Sequence, residues 1–343
     1  MRNRIILSLA TLWVGAGVCC SFTEKETSDY VGLSEKEKTE LQEKNFSYDS
    51  ITGIGHEPGV TRRDPSDVIR VGNSYYVYYT RTTKHTEGYW GGTIYCAESK
   101  DEGYTWKEKG EMLATGKKGA FDSFSIFTPN IIYADGKYYL FYTGVCPTPG
   151  TDNKFKNNST TDITAIGLAV SDSPTGPFKR VSSEPILRVS DKADDFDSYR
   201  IDDAALMFRN GKYYLYYKGR SRKYGPAGPA HTEMGVAIAK SPKGPFVKQK
   251  RSVMPRSHEV MVWKGEHGGV FALASFASSL EFAPDGIDFT TYPLYMKKKH
   301  RPNAPGAFRP DLTDVNAHEG LTWGISMAHY GRDPYLVRFK FTK

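Results

Sequence analysis

Five segments of one pattern recur along the chain: GNSYYVYYT (72–80), GKYYLFYTG (136–144), GKYYLYYKG (211–219), GGVFALASF (268–276) and the weaker EGLTWGISM (319–327). Each is a turn glycine followed by an alternating aromatic or aliphatic run. That alternation has the period of a half-buried β-strand, not of a helix. A second hairpin follows most copies: TIYCAESKDEGYTWKEKG (93–110), AIGLAVSDSPTGPFKRV (165–181), MGVAIAKSPKGPFVKQ (234–249) and SLEFAPDGIDFTTYP (279–293). Their turns carry the Gly, Pro, Asp and Ser residues that favour tight hairpins. A two-hairpin unit repeated at roughly 50–75 residues describes a propeller of four-stranded blades. A β-sandwich would not repeat such a unit. The expected fold is therefore all-β, a five-bladed β-propeller with a short N-terminal extension.

The 343 residues, 39% of them hydrophobic, are ample for one large core. Tyr is abundant at 23 residues, which suits both pleated packing and sugar faces. Residues 1–20 read as a secretory signal: Arg2 and Arg4, the apolar run IILSLATLWVGAGV, then Cys19 and Cys20. A lipoprotein signal would make one of these cysteines a lipid anchor. Export to the periplasm or cell surface is expected, with contact to a membrane only through that anchor. Cys96 and Cys146 could pair or stay free. Residues 21–50 read as a linker containing a short helix, with Ser34 as N-cap and Glu37 closing a capping box. The propeller is expected to occupy 51–343. The net charge of +7 is spread along the chain, and KKKHR (297–301) is the one dense run, so no nucleic-acid footprint is present.

Three strings place acids or bases just before the first strand of a unit: RRDPSDVIRVG (62–72), YRIDDAALMFRNG (199–211) and SHEVMVWKG (257–265). In a propeller these strand starts converge on the central funnel. That brings together Asp64, Asp202, Asp203, His258 and Glu259. Acidic and basic groups facing each other across a funnel suit glycoside hydrolysis, in which one group deprotonates water and another protonates the leaving oxygen. Softer candidates for substrate contact are Tyr89 and Trp90 in a glycine-flanked loop, Thr128 at the second unit's strand start, and His231 and Glu233 in the loop 219–233. Arg309 of AFRPDL is the corresponding candidate of the fifth unit.

From about residue 50 to the end, the strings RRDPSDVIRVGNSYYVYYT, SKDEGYTWKEKG, KKGAFDSFSIFTPNIIYADGKYYLFY, DDAALMFRNGKYYLYYKG, GVAIAKSPKGPF, SHEVMVW, EFAPDGIDF and AFRPDL together resemble glycoside hydrolase family 117 and, more distantly, family 43. The resemblance implies an exo-acting, inverting glycosidase that removes 3,6-anhydro-L-galactose from the non-reducing end of agar-derived oligosaccharides. It implies Asp64 as general base and Asp203 as the group that stabilises the transition state or tunes the acid. His258 would be the general acid, with Glu259 supporting or replacing it. An imidazolium donor is expected to work because its unperturbed pKa lies near 6.5. The chain departs from the family pattern at Asp202, which adds a carboxylate to the funnel. The family's small-residue motif linked to homodimers is not legible here. No His or Cys spacing dictates a transition metal; the resemblance implies at most a structural cation in the funnel. Two other readings remain open: a propeller glycosidase for an arabinofuranoside or galactoside, and a glycan-binding propeller without catalysis.

Overall fold

The computed structural model describes residues 32–82, 92–147, 162–295, 301–317, 319–330 and 333–342. The signal segment, Cys19, Cys20, Tyr89 and Trp90 lie outside the described residues. Each aromatic segment becomes the second strand of a blade. Blade 1 runs β2 (Thr61–Arg63), β3 (Ile69–Val71), β4 (Ser74–Thr82), β5 (Thr93–Ser99) and β6 (Trp106–Leu113), with β2 and β3 both paired to β4. Blade 2 is β7 (Ser125–Ala134), β8 (Lys137–Pro147), β9 (Asp162–Ser171) and β10 (Lys179–Arg180). Blade 3 is β11 (Arg200–Arg209), β12 (Lys212–Arg220), β13 (Glu233–Ala239) and β14 (Val247–Lys248). Blade 4 is β15 (Val262–Lys264), β16 (Val270–Ala274), β17 (Ser279–Ala283) and β18 (Thr290–Tyr295).

Blade 5 differs in origin. Its strands β19 (Gly306–Ala307), β20 (Trp323–Tyr330) and β21 (Asp333–Thr342) come from the C-terminal end, but its outer strand is β1 (Asn45–Asp49). The propeller thus starts at Asn45 rather than at residue 51, and the two ends of the sequence close the ring together. Phe46, the one buried residue of β1, packs against Phe339 and Phe341 at 5.6 and 4.6 Å between ring centroids. The expected helix is α1 (Glu35–Gln42), capped by Ser34 with Glu37 reaching back to the cap nitrogen at 2.7 Å. Leu33 and Leu41 tether it to the same aromatic cluster.

Most tyrosines of the repeat are packing residues. Tyr78, Tyr79, Tyr142, Tyr216 and Tyr217 are fully buried between blades, and each hydroxyl has a partner, as a buried phenol requires. Blades 2 and 3 share one device. Tyr142 donates to Asp122 at 2.8 Å, which also accepts from Arg180; Tyr217 donates to Asp197 at 2.9 Å, which also accepts from Lys248. The preceding phenylalanines, Phe121 and Phe196, stack on those tyrosines. The repeated triplet Phe-Asp-Ser at 121–123 and 196–198 is the sequence trace of this brace. Cys96 and Cys146 are not joined to each other by a disulfide.

Candidate active site

At the inner edge of three blades the backbone makes the same unusual move. Asp64, Thr128 and Asp203 have φ of 49°, 45° and 55°, and Ala304 in blade 5 has 42°. These are left-handed conformations that a side chain adopts at a cost of about 1–2 kcal/mol each. In β7 and β11 the kink falls in a bulge, between Phe127 and Asn130 and between Asp202 and Ala205. A bulge re-aims a side chain that the regular pleat would send into the sheet. The kinks carry Asp64, Thr128 and Asp203 to the wall of one cavity of about 350 Å3. A hydrogen-bond chain ties these entrances together: Thr128 N donates to Thr80 Oγ1 at 3.2 Å, Thr128 Oγ1 meets Thr143 Oγ1 at 2.5 Å, and Asp203 N donates to Thr128 Oγ1 at 3.4 Å.

All five candidate acid–base residues, Asp64, Asp202, Asp203, His258 and Glu259, line this cavity, as does Thr128. His258 and Glu259 are held by backbone N–H bonds to one hydroxyl, Ser275 Oγ, at 2.8 and 3.2 Å. His258 Nδ1 is buried without a hydrogen-bond partner, and Glu259 Oε2 is likewise unbonded, with Arg301 3.8 Å away. Both atoms are therefore groups a bound sugar could satisfy.

Arg309 is not at the cavity. It is almost completely buried, chelates Asp311 at 2.7 and 2.6 Å, and donates to Val262 O at 2.6 Å and Leu206 O at 3.3 Å. The blade-5 counterpart of Asp64 is Ala304, five residues before Arg309, so the fifth strand entrance lies ahead of AFRPDL and not within it. His231 and Glu233 do not line the cavity either. The His231 ring stacks on Tyr224 at 4.1 Å, and Glu233 accepts from the Ser252 hydroxyl; between β12 and β13, Pro229 lines the wall.

The wall also holds residues not singled out from the sequence: Arg63, Arg200, Lys218 and Arg220, with Asn303 and His329 on the blade-5 side. Lys218 Nζ lies 2.6 Å from Asp203 Oδ2 and 3.1 Å from Asp202 Oδ1. Arg200 Nε donates to Asp202 Oδ2 at 2.7 Å, and Arg63 pairs with Asp64. Phe127 has the Arg63 and Arg200 guanidiniums at 5.5 and 5.6 Å from its ring. The signal for Lys218 was present: the second-strand run ends YYT in blade 1 and FYT in blade 2, but YYK in blade 3.

These contacts split the two adjacent aspartates. Burial raises Asp202, but Lys218 and Arg200 outweigh it and hold that carboxyl well below its ordinary range. Burial and the Asp202 charge push Asp203 up to about 7 despite Lys218. For His258 the Lys218 charge and then burial lower the pKa to about 4. The expectation of an unperturbed imidazolium is thus corrected, because a buried ammonium nearby makes the protonated ring unfavourable. Glu259 is raised by burial, but His258 and Arg301 lower it further, so it is ionised. Among the described residues, no group of three or more His, Cys, Asp or Glu side chains is placed to hold a metal ion. The Lys218 ammonium already occupies the place between the two aspartates, so this donor set does not fit a funnel cation.

Residues 59–205 match the sequence profile of glycosyl hydrolases family 43. The fold is similar to that of a family 117 glycoside hydrolase from the marine bacterium Zobellia galactanivorans, with a TM-score of 0.74 and 25% identity over 88% of this chain and 92% of that one. A thermostable family-43 glycoside hydrolase shares the fold at a TM-score of 0.56 and 18% identity, over 86% of this chain and 96% of that one. Xylosidase/arabinosidase 43A of Humicola insolens is 34% identical over 94 residues, 27% of this chain; the match spans only 22% of that relative's length. Fold, cavity and likenesses together define the class: a five-bladed propeller glycoside hydrolase. Within that class the chain is similar to the family 117 enzyme across the fold and to the family 43 profile over residues 59–205.

Proposed function

We propose that the protein removes the terminal sugar from the non-reducing end of agar-derived oligosaccharides, releasing 3,6-anhydro-L-galactose or a related sugar with inversion. The observation that carries this reading is the convergence of Asp64, Asp203, His258 and Glu259, from three blades, on one cavity of about 350 Å3. That volume is at the small end of ligand pockets and suits a sugar or two rather than a long chain. The choice of sugar rests on the likeness to the family 117 enzyme.

In the proposed step, water attacks the anomeric carbon from the face opposite the leaving group and gives its proton to Asp64. The C–O bond breaks and the leaving oxygen takes a proton from the enzyme. We assign that proton to Asp203, the carboxyl that keeps one up to about pH 7. Neutral His258 donates or accepts a hydrogen bond at the sugar, and ionised Glu259 supports the developing positive charge. Solvent exchange then restores both protons.

An aryl glycoside tests the assignment, because a good leaving group needs no acid. Asp203→Asn should lose about 100- to 10,000-fold in kcat/KM on an oligosaccharide and most of that loss should vanish on the aryl substrate. If His258→Asn shows that pattern instead, His258 is the donor. A panel of neoagarobiose, arabinofuranosides and galactosides, with NMR of the first-formed anomer, decides the sugar and the inversion. The family 43 match makes the arabinofuranoside arm the second reading. We also propose export, with a lipid on Cys19 or Cys20; globomycin sensitivity of processing and labelling with a palmitate analogue test it. Size-exclusion chromatography with light scattering reads whether the enzyme is a homodimer.

A further inference from the structure

Resting on the glycosidase reading, we propose that the blade-5 face of the cavity is the subsite for the sugar that leaves, and that Asn303 and His329 select it as a neutral, hydroxyl-bearing ring. The cavity wall is divided by charge. Its Asp, Lys and Arg side chains come from blades 1 and 3, and Glu259 comes from blade 4. Blade 5 contributes Asn303, Ala304, Pro305, Met327 and His329, with no Asp, Glu, Lys or Arg among them. The difference starts at the kinks. Those of blades 1, 2 and 3 send Asp64, Thr128 and Asp203 to the wall, whereas that of blade 5 sends the methyl group of Ala304. Charged groups are of use where charge develops, at the anomeric carbon and along the proton's path. The leaving sugar is neutral once its oxygen is protonated, so the uncharged face is the one that suits it.

That face is firmly built. Asn303 N donates to Ser326 Oγ at 3.0 Å, the same hydroxyl donates to Asn303 O at 2.9 Å, and Met327 N donates to that carbonyl at 2.8 Å. Ser326 is fully buried, so the residue before the kink is locked to β20. Along β20, Met327 and His329 are two residues apart; the pleat sends them to one side, and both line the cavity. Asn303 Nδ2 and His329 Nε2 lie 3.5 Å apart, at the outer limit of a hydrogen bond. The Asn303 amide can donate and accept, and the imidazole nitrogen does one or the other according to its tautomer. Such a pair matches neighbouring sugar hydroxyls, which do both. Met327 and Pro305 add apolar surface for the C–H face of the same ring. His329 is exposed, so the subsite opens to solvent and lets a longer chain continue beyond it. Neither side chain has a part in the proton transfers assigned to Asp64 and Asp203.

Kinetics on neoagarobiose, whose leaving sugar is galactose, and on the p-nitrophenyl glycoside of the same terminal sugar test this. The double variant Asn303→Ala, His329→Ala should lose about ten-fold more in kcat/KM on neoagarobiose than on the aryl glycoside, mainly through KM, the scale of two lost hydrogen bonds. His329→Gln, which keeps a donor and an acceptor, should recover part of that loss relative to His329→Ala. Inhibition by D-galactose should weaken in the double variant more than inhibition by 3,6-anhydro-L-galactose. The thermal midpoint should hold, because the exposed His329 side chain is not part of the core. Equal losses on the two substrates, or galactose inhibition left untouched, overturns the inference. Isothermal titration of neoagarobiose into Asp64→Asn protein, with and without the double substitution, reads binding without turnover. Turnover by the wild type with equal losses sinks this inference alone. Binding that weakens with the double substitution, in a chain whose wild type turns over no glycoside, sinks the hydrolase reading alone.

Discussion

Two of the buried ionic clusters among the described residues are built to opposite ends. At the ring closure, Arg309 chelates Asp311, caps two carbonyl oxygens from blades 3 and 4, and lies 3.6 Å from Asp67. Asp67 in turn accepts from Ala307 N at 2.8 Å and Asn130 Nδ2 at 3.3 Å, joining blades 1, 2 and 5. The charges there are spent on holding blades together. In the cavity, Lys218 serves two carboxylates at once, and His258 Nδ1 and Glu259 Oε2 have no hydrogen bond. A cluster saturated by its own fold is structural. One that leaves groups unsatisfied and splits the proton affinities of neighbours is chemical.

The two clusters should therefore fail differently. The largest effect is expected at Asp64. Asp64→Asn keeps the size and tolerates the left-handed backbone, so the thermal midpoint should hold while turnover falls by about 1,000-fold or more, the scale of losing a general base. A loss of stability equal to the loss of activity would put Asp64 with the structural cluster. Arg309→Met is the mirror case. It leaves Asp67 and Asp311 as buried, uncompensated charges and should cost about 3–5 kcal/mol in denaturant unfolding.

Protonation sharpens the contrast further. Asp203 has a folded pKa raised to about 7, well above the ordinary aspartate value, so the folded state binds its proton more tightly than the unfolded state does. Its contribution is fully present below about pH 4 and is lost as pH rises to about 7. Stability measured against pH should show that falling limb, and Asp203→Asn should flatten it. If Asp203 is the donor, activity on oligosaccharides should fall through the same window. Lys218→Met removes the largest cause of the depressed His258 titration. The ring's NMR titration midpoint should then climb from about 4 toward its ordinary 6.5, and no movement would break the electrostatic account.

Much of this was legible in the chain. The aromatic echo named all five second strands, because alternation reports the pleat directly. The acid strings named the cavity residues, because strand starts in a propeller converge. What escaped depends on partners distant in sequence. β1 is five residues with one buried side chain, and only its pairing with β21 makes it a blade strand. The depressed His258 titration depends on a lysine 40 positions away in sequence and one blade over. Arg309 in AFRPDL reads as the fifth unit's strand entrance, whereas the more informative signal is a dipeptide. Asp64-Pro65, Thr128-Pro129 and Ala304-Pro305 repeat a kinked residue followed by proline at three entrances.

That dipeptide leads to the smallest predicted effect. Proline disfavours the right-handed helical region for the residue before it, but does not by itself impose a positive φ. At Asp64 and Asp203 the strained backbone aims a carboxylate into the cavity. Ala304 makes the same turn with a methyl group that offers no chemistry. Its strain therefore comes from the architecture alone. Ala304→Gly removes the left-handed penalty of about 1–2 kcal/mol but loosens the unfolded chain by about 0.5–1 kcal/mol. The net should be a gain in stability of no more than about 1.5 kcal/mol, with kcat unchanged. A loss of stability would show that the methyl group's packing outweighs the turn. It would also mean that the kink at the catalytic blades cannot be read as strain retained for function.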